Sequence, residues 1–451
     1  MAAQQPLSVQ QNLTIRLLRV LRYNKARIER ALTLMPEKHR PLFHVLPFLV
    51  HVNHEALPGY VAPLTSSETV PFGINNYSFR PDVEQALQRC FPAQSHLFSD
   101  IKQIWPRQRA VDALVLMGSV GTIAQTDDSD FDFWVCIDGK RFSTTELTLL
   151  QQKLTAIEKW ADNTFGIEVH FFLSEIDKVK QNDFGVAEGE SAGSAQALFL
   201  KAEFYNTNIV VAGKAPFWWL TPEKTTEKQY QAIYNSLEKG GSPDVDWFMD
   251  LGHLERLDAS ELFGAAIWQL GKAMDSPFKS VLKMAKLEVY LANISHGQPL
   301  CNLLKKHVHR GAEAPGHVAD IDPYALMFDE LIAHYKANGQ AEDIAVLQQC
   351  LYLKCGCTLS HPLVEGEQAN FKRKIMASYA KQWGWSRKLL AHLDNQQDWT
   401  FNERVQLSRR IHRFLLKCYR RISKEISHHR QVMDQKDMTV LGRRLSTYYA
   451  K

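Results

Sequence analysis

Apolar runs typical of strands alternate with helical periodicity in the middle of the chain, between residues 105 and 215. Each run is short, dense in large apolar residues and bounded by polar residues or glycine, which predicts strands. The four predicted strands are residues 113–117, 131–137, 166–173 and 208–212. Residues 144–162 repeat apolar positions at helical spacing between the second and third strands. This alternation predicts one compact unit of strands and helices.

Helical periodicity dominates on both sides of this unit. Near the N-terminus it covers residues 10–50, where the basic residues between Arg16 and Arg30 predict a solvated helix face. Later segments are long and apolar enough to pack as a bundle: 261–293, 323–337, 342–354, 371–393 and 403–428. The predicted fold class is therefore α+β. We divide the chain into an N-terminal helical region (1–105), a strand-containing core (106–215), a helical domain (216–400) and a basic terminal helical segment (401–451).

Composition and charge narrow the functional class. The 451 residues carry 53 Lys+Arg against 49 Asp+Glu, a net charge of +4, and 45% are hydrophobic. This balance is ordinary for a globular protein and lacks the charge excess of a nucleic-acid-binding chain. No apolar run reaches the roughly 20 residues that span a bilayer, and the seven cysteines lie in apolar stretches as expected for reduced thiols. We expect a cytoplasmic protein without nucleic-acid partners and without membrane insertion.

Two aspartates at the start of the second predicted strand are the strongest sign of chemistry. Asp130 and Asp132 are separated by one residue, so both side chains project from the same strand face, while Phe131 and Phe133 enter the core. Like charges side by side are costly unless a cation lies between them. Because carboxylate oxygens are hard ligands, the pair predicts a divalent cation, Mg²⁺ or Mn²⁺.

A glycine and a serine end the preceding strand. Gly118 allows close approach to the backbone, and we expect Ser119 to open a helix whose first amides hold phosphate oxygens. Phosphoryl or nucleotidyl transfer needs such a phosphate site beside a metal-binding carboxylate pair. A D-x-D motif alone is weak support, since it is often only an exposed strand end.

A two-metal site commonly has a third carboxylate on a neighbouring strand. Glu168 fits this position, because it alternates with the apolar Ile167, Val169 and Phe171 in the third predicted strand. It is a candidate metal ligand and a candidate acceptor of a proton from an attacking hydroxyl. The alternative is a solvated glutamate at a sheet edge.

The motif resembles the DNA-polymerase-β-like nucleotidyltransferase superfamily, and the whole chain resembles the catalytic half of a class I, enterobacterial-type adenylate cyclase. The most specific stretch is residues 261–272, which is similar to the family signature E-Y-F-G-[SA]-[SA]-L-W-x-L-Y-K. Leu262, Ile267 and Gly271 depart from that signature. A second family signature belongs to a later region that these residues do not include, so we expect a regulatory region or regulatory protein as a partner.

The resemblance implies a polymerase-β-like core at 106–215 and conversion of ATP to 3′,5′-cyclic AMP and pyrophosphate. It implies Mg²⁺ or Mn²⁺, two ions, on Asp130, Asp132 and Glu168, with Gly118 and Ser119 at the β- and γ-phosphates. Further candidates for the phosphates are Ser194, Lys214, Lys272, Lys279 and Lys283. Lys279 and Lys283 are four residues apart and share one helix face.

Two other functions use the same residues. A nucleotidyltransferase with this metal site would move AMP to a separate protein, small-molecule or RNA acceptor. A nucleotide sensor would bind without turnover, although the sequence keeps Gly118, Ser119, Asp130 and Asp132. The cyclase is the interpretation that the whole sequence favours.

Overall fold

The protein is described from a computed structural model. The structure describes residues 9–63, 69–184, 197–254, 257, 259–292, 299–310, 320–363 and 369–427.

Helices account for most of the described chain, and they flank a small sheet. The helices are α1 (Val9–Leu34), α2 (Arg40–His51), α3 (Pro81–Cys90), α4 (Ser95–Ser99), α5 (Thr144–Phe165), α6 (Ile176–Lys180), α7 (Ala197–Thr207), α8 (Glu227–Glu238), α9 (Ala259–Lys272), α10 (Pro277–Ala292), α11 (Leu300–Arg310), α12 (Pro323–Ala337), α13 (Ala341–Cys355), α14 (Phe371–Gln382), α15 (Arg387–Asp394) and α16 (Phe401–Ser427). The strands are β1 (Ala113–Met117), β2 (Phe131–Ile137), β3 (Val169–Glu175), β4 (Ile209–Gly213), β5 (Ala215–Pro216) and β6 (Phe248–Met249).

The four predicted strands form one mixed sheet in the order β3-β2-β1-β4. β1 pairs antiparallel with both β2 and β4, while β2 pairs parallel with β3. The parallel connection runs through α5, whose N-terminus is closed by a capping box between Ser143 and Glu146. The α+β class and all four strands are therefore confirmed, with shifts of at most three residues at strand ends.

The sheet separates two hydrophobic cores. Phe131, Phe133 and Val135 of β2 face a core shared with α2 and α5. Trp134 and Cys136 face the opposite way, into a core shared with the C-terminal helices. Because side chains alternate along a strand, Asp130 and Asp132 lie on the same face as Trp134, towards those helices.

Two of the long predicted helices are interrupted. Residues 261–293 divide into α9 and α10, since Pro277 has no amide hydrogen to continue the α9 hydrogen bonds and begins a new helix instead. Residues 371–393 divide at Gly384, which has a φ of +69°, before Ser386 caps α15. The first of these breaks lets α10 pack against α9, and α10 also packs against α13 and α16.

Within the described segments, no helix is both long enough and apolar enough to cross a membrane. All seven cysteines lie in described segments; none is in a disulfide, and all except Cys90 are buried.

Candidate active site

The loop between β1 and β2 is not the helix that the sequence predicts. Residues 118–130 form successive turns, in which Thr122 N–H donates to the Ser119 carbonyl and Gln125 N–H donates to the Thr122 carbonyl. The expected helix is therefore wrong, while a phosphate role for Gly118 and Ser119 stays a prediction. Gly121 shows the cause locally, because its φ of +70° lies outside the right-handed helical region.

Side chains from α1, from Asp322 and from the loop itself take the backbone groups that a helix would use. The Arg27 guanidinium donates from Nε to the Gly121 carbonyl at 2.8 Å and from one terminal nitrogen to the Val120 carbonyl at 3.1 Å. The Gln125 side chain accepts from Gly121 N–H at 2.7 Å. Arg30 pairs with the buried Asp322 at 3.1 Å, and the same carboxylate oxygen accepts from Ile123 N–H at 3.0 Å. Arg27 and Arg30 are buried, so the predicted solvated face is wrong at these two positions.

Replacement of Arg27 tests whether its hydrogen bonds to the Gly121 and Val120 carbonyls stabilise the protein. We expect Arg27→Met to lower the free energy of unfolding by about 3 kcal/mol, because it leaves buried carbonyls without their donors. Urea unfolding followed by circular dichroism measures this change. The control is Arg22→Met on the exposed side of the same helix, for which we expect a change within about 0.5 kcal/mol. Equal stability of the two variants would contradict this stabilising role of Arg27.

Gly118 and Ser119 lie beside the carboxylates. Gly118 has a φ of +103°, and a Cβ added there would be 3.9 Å from Asp132 Oδ2. Its N–H donates to Thr207 Oγ1 of α7 at 3.1 Å. The Ser119 hydroxyl lies 3.1 Å from that of Ser129, which also accepts from Thr126 N–H at 2.9 Å. These bonds close the loop and bring its first residues next to the start of β2.

The two aspartates occupy one end of the sheet. Asp132 is opposite Met117 of β1 and beside His170 of β3, and it is partly buried, whereas Asp130 is exposed just before β2. Burial raises the pKa of the Asp132 carboxyl, Lys279 opposes this effect and the Asp130 carboxylate adds to it. The predicted placement of both aspartates on one face is confirmed.

Glu168 lies where the chain enters β3, the strand beside β2, and apart from the aspartate pair. It precedes β3, its carbonyl accepts from Phe131 N–H, and its side chain is 71% exposed. Its Oε2 is 3.6 Å from His170 Nε2. In the described part of the chain, no three or more His, Cys, Asp or Glu side chains are arranged to hold a metal. A ligand role for Glu168 stays a prediction.

Lysines from the C-terminal helices face the aspartates. The nearby Lys283 ammonium and then burial lower the pKa of Lys279, while Asp132 and Asp130 act to raise it. Lys279 and Lys283 of α10 both act on Asp132 in turn. The structure thus brings these two predicted lysines to the predicted carboxylates.

Three further residues of this region escaped the sequence reasoning. Lys354 of α13 donates to the Ala124 carbonyl at 3.1 Å; burial and then Lys279 lower its pKa, against the effect of Asp130. Glu203 of α7 is bonded to Lys286 of α10. Lys286 continues the stripe of Lys279 and Lys283 at helical spacing, which was the available signal. Nothing in the sequence links Lys354 or Glu203 to the loop.

The remaining predicted phosphate ligands are not assembled here. Lys214 is ion-paired with Asp112 at 2.9 Å, just before β1, so this pair is six residues, about 20 Å of extended strand, from Gly118. That separation contradicts a shared site. Lys272 ends α9, with its Nζ 5.2 Å from the centroid of the Trp268 ring. Its role stays a prediction, and Ser194 lies outside the described residues.

Family models match both parts of the chain that supply these groups. A model described as adenylate cyclase NT domain matches residues 12–219, and one described as adenylate cyclase, class-I, second domain matches residues 257–451. The chain belongs to the class-I adenylate cyclase family. Within this family member, the first matched segment supplies the aspartates and the loop, and the second supplies Lys279, Lys283 and Lys354.

Curated relatives agree with this membership. The adenylate cyclase of Proteus mirabilis is 32% identical over 429 residues, and that of Escherichia coli K12 is 31% identical over 431 residues. Each comparison covers 94% of this chain and 48% of the relative. The chain therefore spans about half the length of the curated relatives that it matches. No solved structure matches it significantly.

Two of the departures from the adenylate cyclase signature, Leu262 and Gly271, lie in different environments. Leu262 is fully buried in the core of the C-terminal helices. Gly271 is exposed, and an added Cβ would meet nothing within 4 Å. The first departure therefore lies in the protein interior, whereas the second leaves open space on α9.

Proposed function

We propose that this chain converts ATP to 3′,5′-cyclic AMP and pyrophosphate. The observation that supports the proposal is the charge interaction of Asp130 and Asp132 with lysines of the later helices. These lysines are Lys279, Lys283 and Lys354, and Lys354 is bonded to the loop after β1. Anionic and cationic groups in one site suit a substrate that carries both a metal ion and phosphates. Both family models that contribute these residues are adenylate cyclase domains.

Asp130 and Asp132 fit a divalent cation. The two carboxylates share a strand face, the Asp130 carboxylate acts to raise the pKa of Asp132, and their hard oxygens suit Mg²⁺ or Mn²⁺. We propose these aspartates as ligands, with Glu168 as the ligand of a second ion. A bound cation would supply Lewis-acid stabilisation of the α-phosphate and acidify the ribose 3′-hydroxyl.

The protein's other groups act on the phosphates. Gly118 leaves space beside Asp132, and the Ser119 hydroxyl and nearby amides are donors to β- and γ-phosphate oxygens. The ammonium groups of Lys279, Lys283 and Lys354 stabilise negative charge on the departing pyrophosphate. A bond forms between the 3′-oxygen and the α-phosphorus, and the bond from the α-phosphorus to the bridging oxygen breaks.

The proton of the 3′-hydroxyl leaves during this attack. We assign its acceptor as Glu168, whose exposed side chain lies just before β3. The same adenosine supplies nucleophile and electrophile, so a second substrate is unnecessary. The order β3-β2-β1-β4, with carboxylates at the start of β2, supports a polymerase-β-like core at residues 106–215 with a helical domain at 216–400 completing the site.

Incubation of the purified protein with ATP and Mg²⁺ or Mn²⁺, without an acceptor, tests the proposal. We expect cyclic AMP and pyrophosphate in equal amounts, measured by chromatography. AMP incorporation that depends on an added acceptor would replace the cyclase with a nucleotidyltransferase. Binding of ATP without either product would overturn the catalytic assignment.

A further inference from the structure

Glu203 is a carboxylate of α7 that contacts two lysines of α10. Its side chain is 13% exposed, one oxygen is bonded to Lys286, and the other lies 3.8 Å from Lys283 Nζ. Its own carbonyl accepts from the hydroxyl of Thr207 at 2.9 Å. Thr207 Oγ1 in turn accepts from Gly118 N–H. One helix, α7, therefore contacts both the lysine stripe and the first residue of the loop.

The charged side chains around Glu203 include more cations than anions. Lys279, Lys283 and Lys286 lie on one face of α10, and Glu203 is the carboxylate that contacts two of them. Burial would lower the pKa of Lys286, but Glu203 outweighs it and the pKa is raised. Burial likewise favours the neutral form of Glu203, yet Lys286 and Lys283 lower the pKa of that carboxyl. Both partners are therefore held in their charged forms.

The two lysines differ in how they meet Glu203. The Lys286 side chain is 1% exposed and its ammonium is bonded to the Glu203 carboxylate, so this pair has no net charge. Lys283 is 26% exposed, and its ammonium is 3.8 Å from the carboxylate, beyond hydrogen-bond distance. Its three donors are thus available to another anion on its exposed side.

We propose that Glu203 is a positioning residue for phosphate binding. Its carboxylate, neutralised by Lys286, holds Lys283 so that Lys283 and Lys279 face the triphosphate. This inference rests on the proposed function, because it takes the triphosphate of ATP as the ligand. Glu203 itself contacts no substrate. Its part is to fix an ammonium group that would otherwise be repelled by Lys279.

Glu203→Gln removes the charge and keeps the shape of the side chain. We expect the KM for ATP to rise about 10-fold with kcat changed less than about 3-fold, because the variant loses phosphate binding and keeps the aspartates. Inorganic tripolyphosphate, titrated by calorimetry, should bind about 10-fold more weakly. Calorimetry needs no turnover, so it tests Glu203 even if the chain makes no cyclic AMP; failure of the wild-type protein to bind tripolyphosphate would overturn the inference.

The matched control is Glu288→Gln on α10. Glu288 is also buried and ion-paired, with its Oε1 2.6 Å from Arg421 Nε, but its hydrogen-bond donors are Tyr335 on α12 and a terminal nitrogen of Arg421 on α16. We expect lower thermal stability and wild-type tripolyphosphate affinity. Equal losses of affinity in the two variants would assign the effect to stability and overturn the positioning role.

A double variant covers the case in which Glu203→Gln does not fold, because it also removes the buried charge that would be left alone. Glu203→Gln with Lys286→Met leaves no fully buried charge unpaired between α7 and α10, since Lys283 is 26% exposed. We expect it to fold and still bind tripolyphosphate about 10-fold more weakly, since Lys283 has lost its carboxylate. Wild-type affinity in this variant would mean that Glu203 only balances Lys286, and would overturn the proposal.

Discussion

Asp132→Asn should abolish cyclic AMP formation while the protein stays folded. Asp132 is partly buried at the end of the sheet, beside Gly118 and within the influence of Lys279. An amide of the same shape keeps the packing but is a poor ligand for a hard cation and does not offset the lysine charges. We expect kcat to fall by about 10³-fold, measured as cyclic AMP formed at saturating ATP and Mg²⁺.

The matched control is Asp138→Asn, which removes one aspartate charge just beyond the other end of β2. We expect near wild-type turnover, because Asp138 only caps the turn that follows by accepting from Lys140 N–H at 3.2 Å. Circular dichroism should be unchanged for both variants. Turnover by Asp132→Asn within a few-fold of wild type would remove this carboxylate from the mechanism.

Lys279→Gln is expected to lower kcat/KM for ATP by about 10²-fold. Lys279 interacts with both aspartates: its ammonium acts to lower the pKa of Asp132, and both carboxylates act to raise the pKa of Lys279. Its ammonium therefore has the position to stabilise charge on the phosphates as the bond to pyrophosphate breaks. Initial rates over a range of ATP concentrations separate the change in kcat from the change in KM.

An exposed lysine provides the comparison for this variant. Lys336 lies near the end of α12 at the surface, and Lys336→Gln changes the net charge equally. We expect its kinetic constants to match the wild type. Indistinguishable kinetics for Lys279→Gln would show that the lysine serves the fold alone, and the phosphate assignment would pass to Lys283 and Lys354.

The sequence predicts the sheet well because its signals are local. The apolar runs of β1 and β2 and the alternation around Asp130 and Asp132 require only the period of a strand. The pairing of Lys279 with Lys283 likewise follows from helical spacing. These patterns placed a carboxylate pair and a lysine pair, and the structure brings the pairs together.

The failures come from contacts distant in sequence. A helix after Gly118 agrees with local pattern, but Arg27, far earlier in the chain, takes the carbonyls that such a helix needs. Lys214 follows a strand and a glycine as a phosphate ligand would, yet antiparallel pairing puts it beside Asp112 at the wrong end of β1. Lys354 reaches the loop, and Glu203 reaches the lysines of α10, only through helix packing, which no spacing along the chain encodes.

The division of the charged groups between β2 and the later helices α10 and α13 has a consequence during protein synthesis. The ribosome makes Asp132 long before Lys354, and N-terminal segments fold first. A growing chain that has emerged only as far as α7 holds the carboxylates and none of Lys279, Lys283 or Lys354. On the proposed function, cyclic AMP formation would therefore begin only after α13 has left the exit tunnel and Lys354 has bonded to the loop after β1.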